Sequence, residues 1–220
     1  MLVAGRSPVD VHAPPWRGVV RVQTELGVRC SGALIGSRRV LTAAHCVFAP
    51  ETGRLVQPSS VHVLTGYDRG AYAGHARAIA MQLGPGFALR PGLRPIASVP
   101  LATDWALLTL DSPIGTPDRV LPVQRTAVPL GTAVMLGGYE QDRAQTMLAD
   151  LACRVVGETA GLLFHDCAGT RGVSGAPLLA RAADGRWAVI GIASRAWAGA
   201  AGGYAVSAAA IPALTRSKPP

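Results

Sequence analysis

Three short stretches carry residue types that can do chemistry. The first is Val40-Leu41-Thr42-Ala43-Ala44-His45-Cys46. A strand ends there and the chain turns into small residues, which places His45 beside a cysteine that can tie back to Cys30. A general base must be aimed, and anchored backbone suits one. The second is Gly169-Thr170-Arg171-Gly172-Val173-Ser174-Gly175-Ala176-Pro177. Glycines permit conformations that turn successive N–H groups into one concavity. The amides of Gly172 and Ser174 could therefore cup a developing oxyanion beside the Ser174 hydroxyl. The third is Asp104-Trp105-Ala106-Leu107-Leu108-Thr109-Leu110, a carboxylate opening an apolar strand. A buried acid there needs a partner, and an imidazole N–H suits it. Taken singly, each stretch also has a plainer reading. A lone histidine is usually structural or on the surface, as expected for His12, His62, His75 and His165. A Gly/Ser loop is common, and most aspartates cap loops.

The elements that must position these residues are short strands. Gly18 to Glu25, Arg29 to Ile35, Arg39 to Thr42, Val61 to Thr65, Arg77 to Leu83 and Trp105 to Leu110 have β-branched content and Gly/Pro boundaries. The stretch Asp111 to Pro129 is proline-rich and reads as a connector. A second set follows: Thr132 to Tyr139, Met147 to Val156, Gly161 to Cys167, Ala176 to Ala180, Trp187 to Ser194 and Gly203 to Ser207. Helix is scarce, limited to a turn after Thr42 and a short C-terminal helix starting near Ser207 or Pro212. The pattern predicts an all-β chain of two barrel-like lobes, residues 1–115 and 116–220.

Composition narrows the class. The 220 residues are 49% hydrophobic and 15% charged, with 26 Gly and 17 Pro. That excludes disorder as the main state and argues against a helical bundle. No apolar run is long enough for a transmembrane helix. The net charge is +8, carried almost wholly by arginine. The arginines are scattered, so a generally cationic surface is favoured over nucleic-acid binding. Lys218 is the sole lysine and asparagine is absent, which fits a GC-rich bacterial genome and excludes N-linked glycans. The four cysteines fall in two local pairs, Cys30 with Cys46 and Cys153 with Cys167. They have no CxxC spacing and form no zinc pattern. Two disulfides, and so a secreted or periplasmic chain, is one reading; four buried thiols in a cytosolic protein is the other. The start, MLVAGRSPVD, lacks an apolar signal core.

The order His45, Asp104, Ser174, each in its own setting, resembles the chymotrypsin-like serine proteases. TAAHC is the most specific motif, DWALLTL resembles the family's aspartate strand, and GVSGAP resembles its GDSGGP nucleophile loop imperfectly. Gly191-Ile192-Ala193-Ser194 looks like the strand that lines its substrate cleft, and Gly203-Tyr204-Ala205-Val206 like the strand after it. Gly137-Gly138-Tyr139 also fits the second lobe. The nearest relatives look like the bacterial glutamyl-endopeptidase branch. The resemblance implies two perpendicular, antiparallel, six-stranded barrels with the site between them. It implies peptide hydrolysis through an acyl-enzyme, on a protein or peptide substrate, by a monomer without cofactor or metal. Ser174 would attack, His45 would move the proton, Asp104 would orient His45, and the Gly172 and Ser174 amides would bind the oxyanion.

Departures carry expectations of their own. Val173 stands where animal-type members have an acid that receives a new amino terminus. The loop is therefore expected to be ordered by its glycines and by packing of Val173, with the amino terminus lying away from it. Ala168, Ala193, Ser194 and Arg195 are the expected substrate-binding positions. Ala168 is not acidic, which disfavours a demand for Arg or Lys. Ala193 stands where glutamyl-specific relatives have histidine, while Arg195 and Arg171 could attract an acidic side chain. A small or apolar residue before the scissile bond is the first expectation. The rival readings are a catalytically silent binding protein on this fold and an esterase-like hydrolase.

Overall fold

A computed structural model of the chain describes residues 5–197 and 200–215, apart from the side chains of residues 213 and 215. Strand β1 (Ser7–Pro8) is followed by β2 (Val19–Thr24), β3 (Arg29–Gly36), β4 (Arg39–Thr42), β5 (Val61–Thr65) and β6 (Gly74–Leu83). A hairpin of β7 (Leu89–Arg90) and β8 (Arg94–Pro95) precedes β9 (Ala106–Leu110). The second half holds β10 (Ala133–Gly138), β11 (Leu148–Thr159), β12 (Leu162–His165), β13 (Pro177–Arg181), β14 (Trp187–Ala196) and β15 (Gly203–Ser207).

These strands close two antiparallel barrels. The first runs β2-β3-β4-β9-β6-β5. The second runs β11-β10-β13-β14-β15-β12 and closes through the β11–β12 pairing. Closure needs bent strands, and bulges supply the bends. Register shifts occur between Ala78 and Ala80, Val134 and Leu136, and Ala193 and Arg195. Val20, Val22, Leu34, Val40 and Leu108 fill the first interior, and Leu136, Val155, Leu163, Leu178 and Ile190 the second. Burying an aliphatic side chain of this size contributes about 1.5–3 kcal/mol.

The connector is laced to both barrels. Leu121 N donates to Leu34 O, and Val189 N to Pro122 O, each at 2.8 Å. One feature departs from expectation. The amino-terminal arm leaves the first lobe, because β1 pairs with β11 of the second. The expected short C-terminal helix is present as two 3-10 segments, Ala208–Ala210 directly after Ser207 and Pro212–Thr215.

Candidate active site

His45 sits in the 3-10 turn Ala44–Val47, directly after β4. A disulfide joins Cys46 of this turn to Cys30 of β3. Asp104 follows the turn Leu101–Thr103 and precedes β9, the neighbour of β4. Its carboxylate holds His45 at two points: the His45 amide donates to Oδ1 at 2.9 Å, and Nδ1 lies 2.8 Å from Oδ2. Ser194 Oγ donates to the same Oδ2 at 2.5 Å. With Nδ1–H as donor, Nε2 is the acceptor nitrogen. Burial opposes charge on His45, but the Asp104 charge and hydrogen bond outweigh it and raise the imidazole pKa above its ordinary value. Burial likewise opposes the Asp104 carboxylate; His45 and the Ser194 hydroxyl outweigh it and hold its pKa low.

The loop carrying Ser174 is shaped by two glycines with positive φ, Gly172 at 98° and Gly175 at 79°. A Cβ at Gly175 would lie 2.1 Å from Thr42 Oγ1 and 2.2 Å from Ser31 O, so only glycine brings the loop this close to the first barrel. Ser31 stitches the contact. Its amide donates to Ser174 O at 2.8 Å, and its hydroxyl donates to Gly172 O at 3.0 Å while accepting from Tyr139 N at 2.8 Å. Val173 is buried in the second core. Among the described residues, neither the Gly172 nor the Ser174 amide has an acceptor. Free amides at a loop of this shape are what an oxyanion requires.

His45, Asp104, Gly172, Ser174, Ser194 and Arg195 line one open cleft of roughly 950 Å³. Among the described residues Ser174 Oγ makes no hydrogen bond to His45; such contacts are often long in unliganded sites and tighten with substrate. The other expected positions are placed differently. Ala168 and Ala193 are buried, and neither lines the cleft. Ala168 N donates to Asp150 Oδ2, and Ala193 exchanges backbone bonds with Gly175 and Ala176. They support the walls that Gly169–Gly172 and Ser194–Trp197 present. Cys153–Cys167 ties β11 to the segment leading into the Ser174 loop. The cluster Cys30, His45 and Cys46 has metal-ligand types, but the cysteines are bonded to each other and offer no thiolate.

Three contributors were not legible as site residues. Ser31 reads as one more small strand residue. Glu140 directly follows Gly137-Gly138-Tyr139 and Arg6 belongs to no motif, yet Arg6 Nη1 and Glu140 Oε2 meet at 2.6 Å behind the Ser174 loop. The amino-terminal arm therefore runs beside that loop at Arg6, a contact the sequence did not suggest. β1 pins it to β11, which brings Arg6 to a buried acid. Residues 1–4, including the terminus itself, lie outside the described residues.

The model of the family described as Trypsin matches residues 3–214. The chain belongs to the trypsin family. Among curated relatives, Serine protease filzig of Drosophila melanogaster is 28% identical over 224 residues, covering 87% of this chain and 13% of the relative. Serine protease SP24D of Anopheles gambiae is 32% identical over 150 residues, covering 61% of this chain and 50% of the relative. The chain thus matches half or less of the length of each. A solved structure of a Glu endopeptidase in complex with MPD superposes with a TM-score of 0.76 at 19% identity, covering 98% of both chains. That likeness establishes the two-barrel fold of the trypsin family member described above.

Proposed function

We propose that this trypsin-family chain is a serine endopeptidase in which Ser174 attacks the scissile carbonyl. His45 Nε2 takes the hydroxyl proton and returns it to the leaving amine. Asp104 fixes the His45 tautomer and stabilises the imidazolium, and the Gly172 and Ser174 amides receive the oxyanion. The observation that carries this reading is the pairing of an oriented, paired imidazole with unengaged amides at the serine, all on one cleft. An acyl-enzyme follows from that arrangement without other groups.

The cleft also bears on substrate. Its exposed charged residues are Arg29, Arg171 and Arg195, and its acid, Asp104, is buried and paired. Leu89, Leu93, Ile96 and Leu101, on and around the β7–β8 hairpin, form an apolar wall. Peptides that combine apolar and acidic side chains suit this surface better than basic ones. The two disulfides favour a secreted or periplasmic site of action. A peptidyl phosphonate tests the chemistry: it should label the chain at Ser174 and leave Ser174→Ala unlabelled. No labelling of the unmodified chain would overturn the reading. Cleavage of simple esters but of no member of a peptide library would assign an esterase instead.

A further inference from the structure

We propose that Arg6, on the amino-terminal arm, is a positioning residue for the oxyanion loop, acting through Glu140 and Thr170; this rests on the peptidase reading for its catalytic consequence. Glu140 follows β10 and its side chain is 1% exposed. A carboxylate so placed is costly unless paired and hydrogen bonded. Arg6 Nη1 lies 2.6 Å from Oε2, and the Arg6 side chain is itself 2% exposed. Arg6 Nη2 donates to Asp142 Oδ2 at 2.7 Å, so one guanidinium forks over two acids.

The same Glu140 oxygen faces the loop. Thr170 Oγ1 donates to Oε2 at 2.7 Å, and the Thr170 amide donates to it as well. Thr170 stands two residues before Gly172. The backbone beside Glu140 completes the contact. Gln141 N donates to Arg171 O at 2.7 Å, and a Cβ at Gly172 would lie 2.5 Å from Tyr139 O and 2.9 Å from the Glu140 Cα. Residues 139–141 are thus the back wall of the segment that presents the Gly172 amide. Burial pushes the Glu140 carboxyl up in that wall, and the Thr170 hydroxyl and the Arg6 charge oppose the rise.

The arm is held for this purpose. Ser7 pairs with Ala149 and Pro8 with Leu148, so Arg6 is delivered by a strand rather than by a loose tail. Val173, next to the nucleophile, offers no charge to any terminus. Among the described residues, the ion pairs that reach this loop are those of Arg6 with Glu140 and Asp142. The arm in place is therefore the ordered state of the loop, and losing Arg6 loosens it.

The test uses the full chain with Arg6→Met, Arg6→Lys and Glu140→Gln, and Arg17→Met as a control on a half-buried arginine whose ion pair, with Asp118, lies away from this loop. Readouts are kcat and KM on one peptide, inhibition by a peptidyl boronate that mimics the oxyanion, hydrogen exchange of peptides covering 169–176, and melting temperature. Arg6→Met should lower kcat at least tenfold with KM within about twofold, and weaken the boronate by a similar factor. Exchange in 169–176 should rise at least tenfold while the strands of the first barrel stay protected. Arg6→Lys should restore part of kcat, and Arg17→Met should match the unmodified chain. Should Arg6→Met fail to fold, Glu140→Gln carries the same expectation with Arg6 intact. Unchanged exchange in 169–176, or kcat within twofold, overturns the proposal. If the unmodified chain is inert, the peptidase reading falls and the exchange measurement alone decides the role of Arg6.

Discussion

The Ser31 amide donates to the Ser174 carbonyl at 2.8 Å, so the Ser174 loop of the second barrel is hydrogen bonded to β3 of the first. Ser31 follows Cys30, whose disulfide fixes the turn carrying His45. One short segment of β3 therefore references both the imidazole and the serine to the same backbone. A site assembled across two barrels needs such a shared anchor, because an error of an ångström between nucleophile and base costs catalysis about 100-fold.

Replacing Ser31 with Ala should expose how much that anchor contributes. The hydroxyl is fully buried and satisfies Gly172 O and Tyr139 N. Its loss leaves two buried backbone groups short of a partner, at about 1–3 kcal/mol. Thermal and denaturant unfolding should show that loss, with kcat falling more than KM rises. Stability and kcat equal to those of the parent would mean that the loop is held by Gly175 and the Ser31 amide alone.

Ser174→Ala and His45→Ala should each lower kcat by a factor of roughly a million, and the double variant should be little worse than either. Groups that act as one unit do not lose independently. A double variant whose loss is the product of the two single losses would separate Ser174 from His45 and break the assignment.

Much of this arrangement is legible in residue types. Arg39–Thr42, Val61–Thr65 and Gly203–Ser207 match their expected bounds because β-branched runs end there at turns. The close approach of Gly175 to Ser31 is half-legible: a glycine after the serine signals proximity without naming the neighbour. β1 and the β7–β8 hairpin are two-residue strands bearing prolines, too short for any alternation to register. Arg6 and Glu140 are 134 residues apart, and nothing local in either marks the other. Ala168 and Ala193 occupy expected pocket positions by count, but strand β14 presents alternate residues, which turns Ser194 and Arg195 to the cleft through the bulge after Ala193.

The raised imidazole pKa of His45 fixes the direction of a pH profile. A general base works in its neutral form, so kcat/KM should fall as pH drops through a value above the ordinary 6.5 for histidine. Asp104→Asn removes the charge and the acceptor that raise it. The acidic limb should then move to lower pH, while kcat drops on the order of 10⁴-fold because the wrong tautomer is held. Kinetics from pH 4 to 9 on both forms check this. A limb that stays in place in Asp104→Asn would mean that another group controls it.

His165, whose pKa is shifted in the opposite direction from that of His45, should govern acid stability. It is 1% exposed, neither ring nitrogen has a partner among the described residues, and burial pushes its pKa down to about 4. Between about pH 6.5 and 4 the unfolded chain binds a proton there and the folded chain does not. Stability from this group is complete above the unfolded value and is lost as pH falls across that window, by about 3 kcal/mol in all. His165→Phe should flatten the denaturant midpoint over the window relative to the parent. An equal slope in both proteins would place the acid sensitivity elsewhere.

The charge lining of the cleft should appear as a substrate preference that salt weakens. Arg29, Arg171 and Arg195 are exposed to the cleft, and no exposed acid among the described residues lines it to oppose them. Exposed charges interact weakly one by one, so each arginine should contribute roughly two- to fivefold. The sum acts on peptide binding and encounter, hence on KM more than on kcat. Paired peptides that differ by Glu against Lys near the scissile bond, assayed on the parent and on Arg171→Ala, read this directly. The Glu peptide should be favoured severalfold, less so in Arg171→Ala. Raising salt to 1 M shortens the screening length from about 8 Å to about 3 Å and should narrow the difference further. Arg195 is the less clean choice for substitution, because its charge also reaches His45 and lowers the imidazole pKa. A preference for the Lys peptide, or one for Glu that 1 M salt leaves untouched, would mean that a shaped subsite rather than the cationic rim selects the substrate.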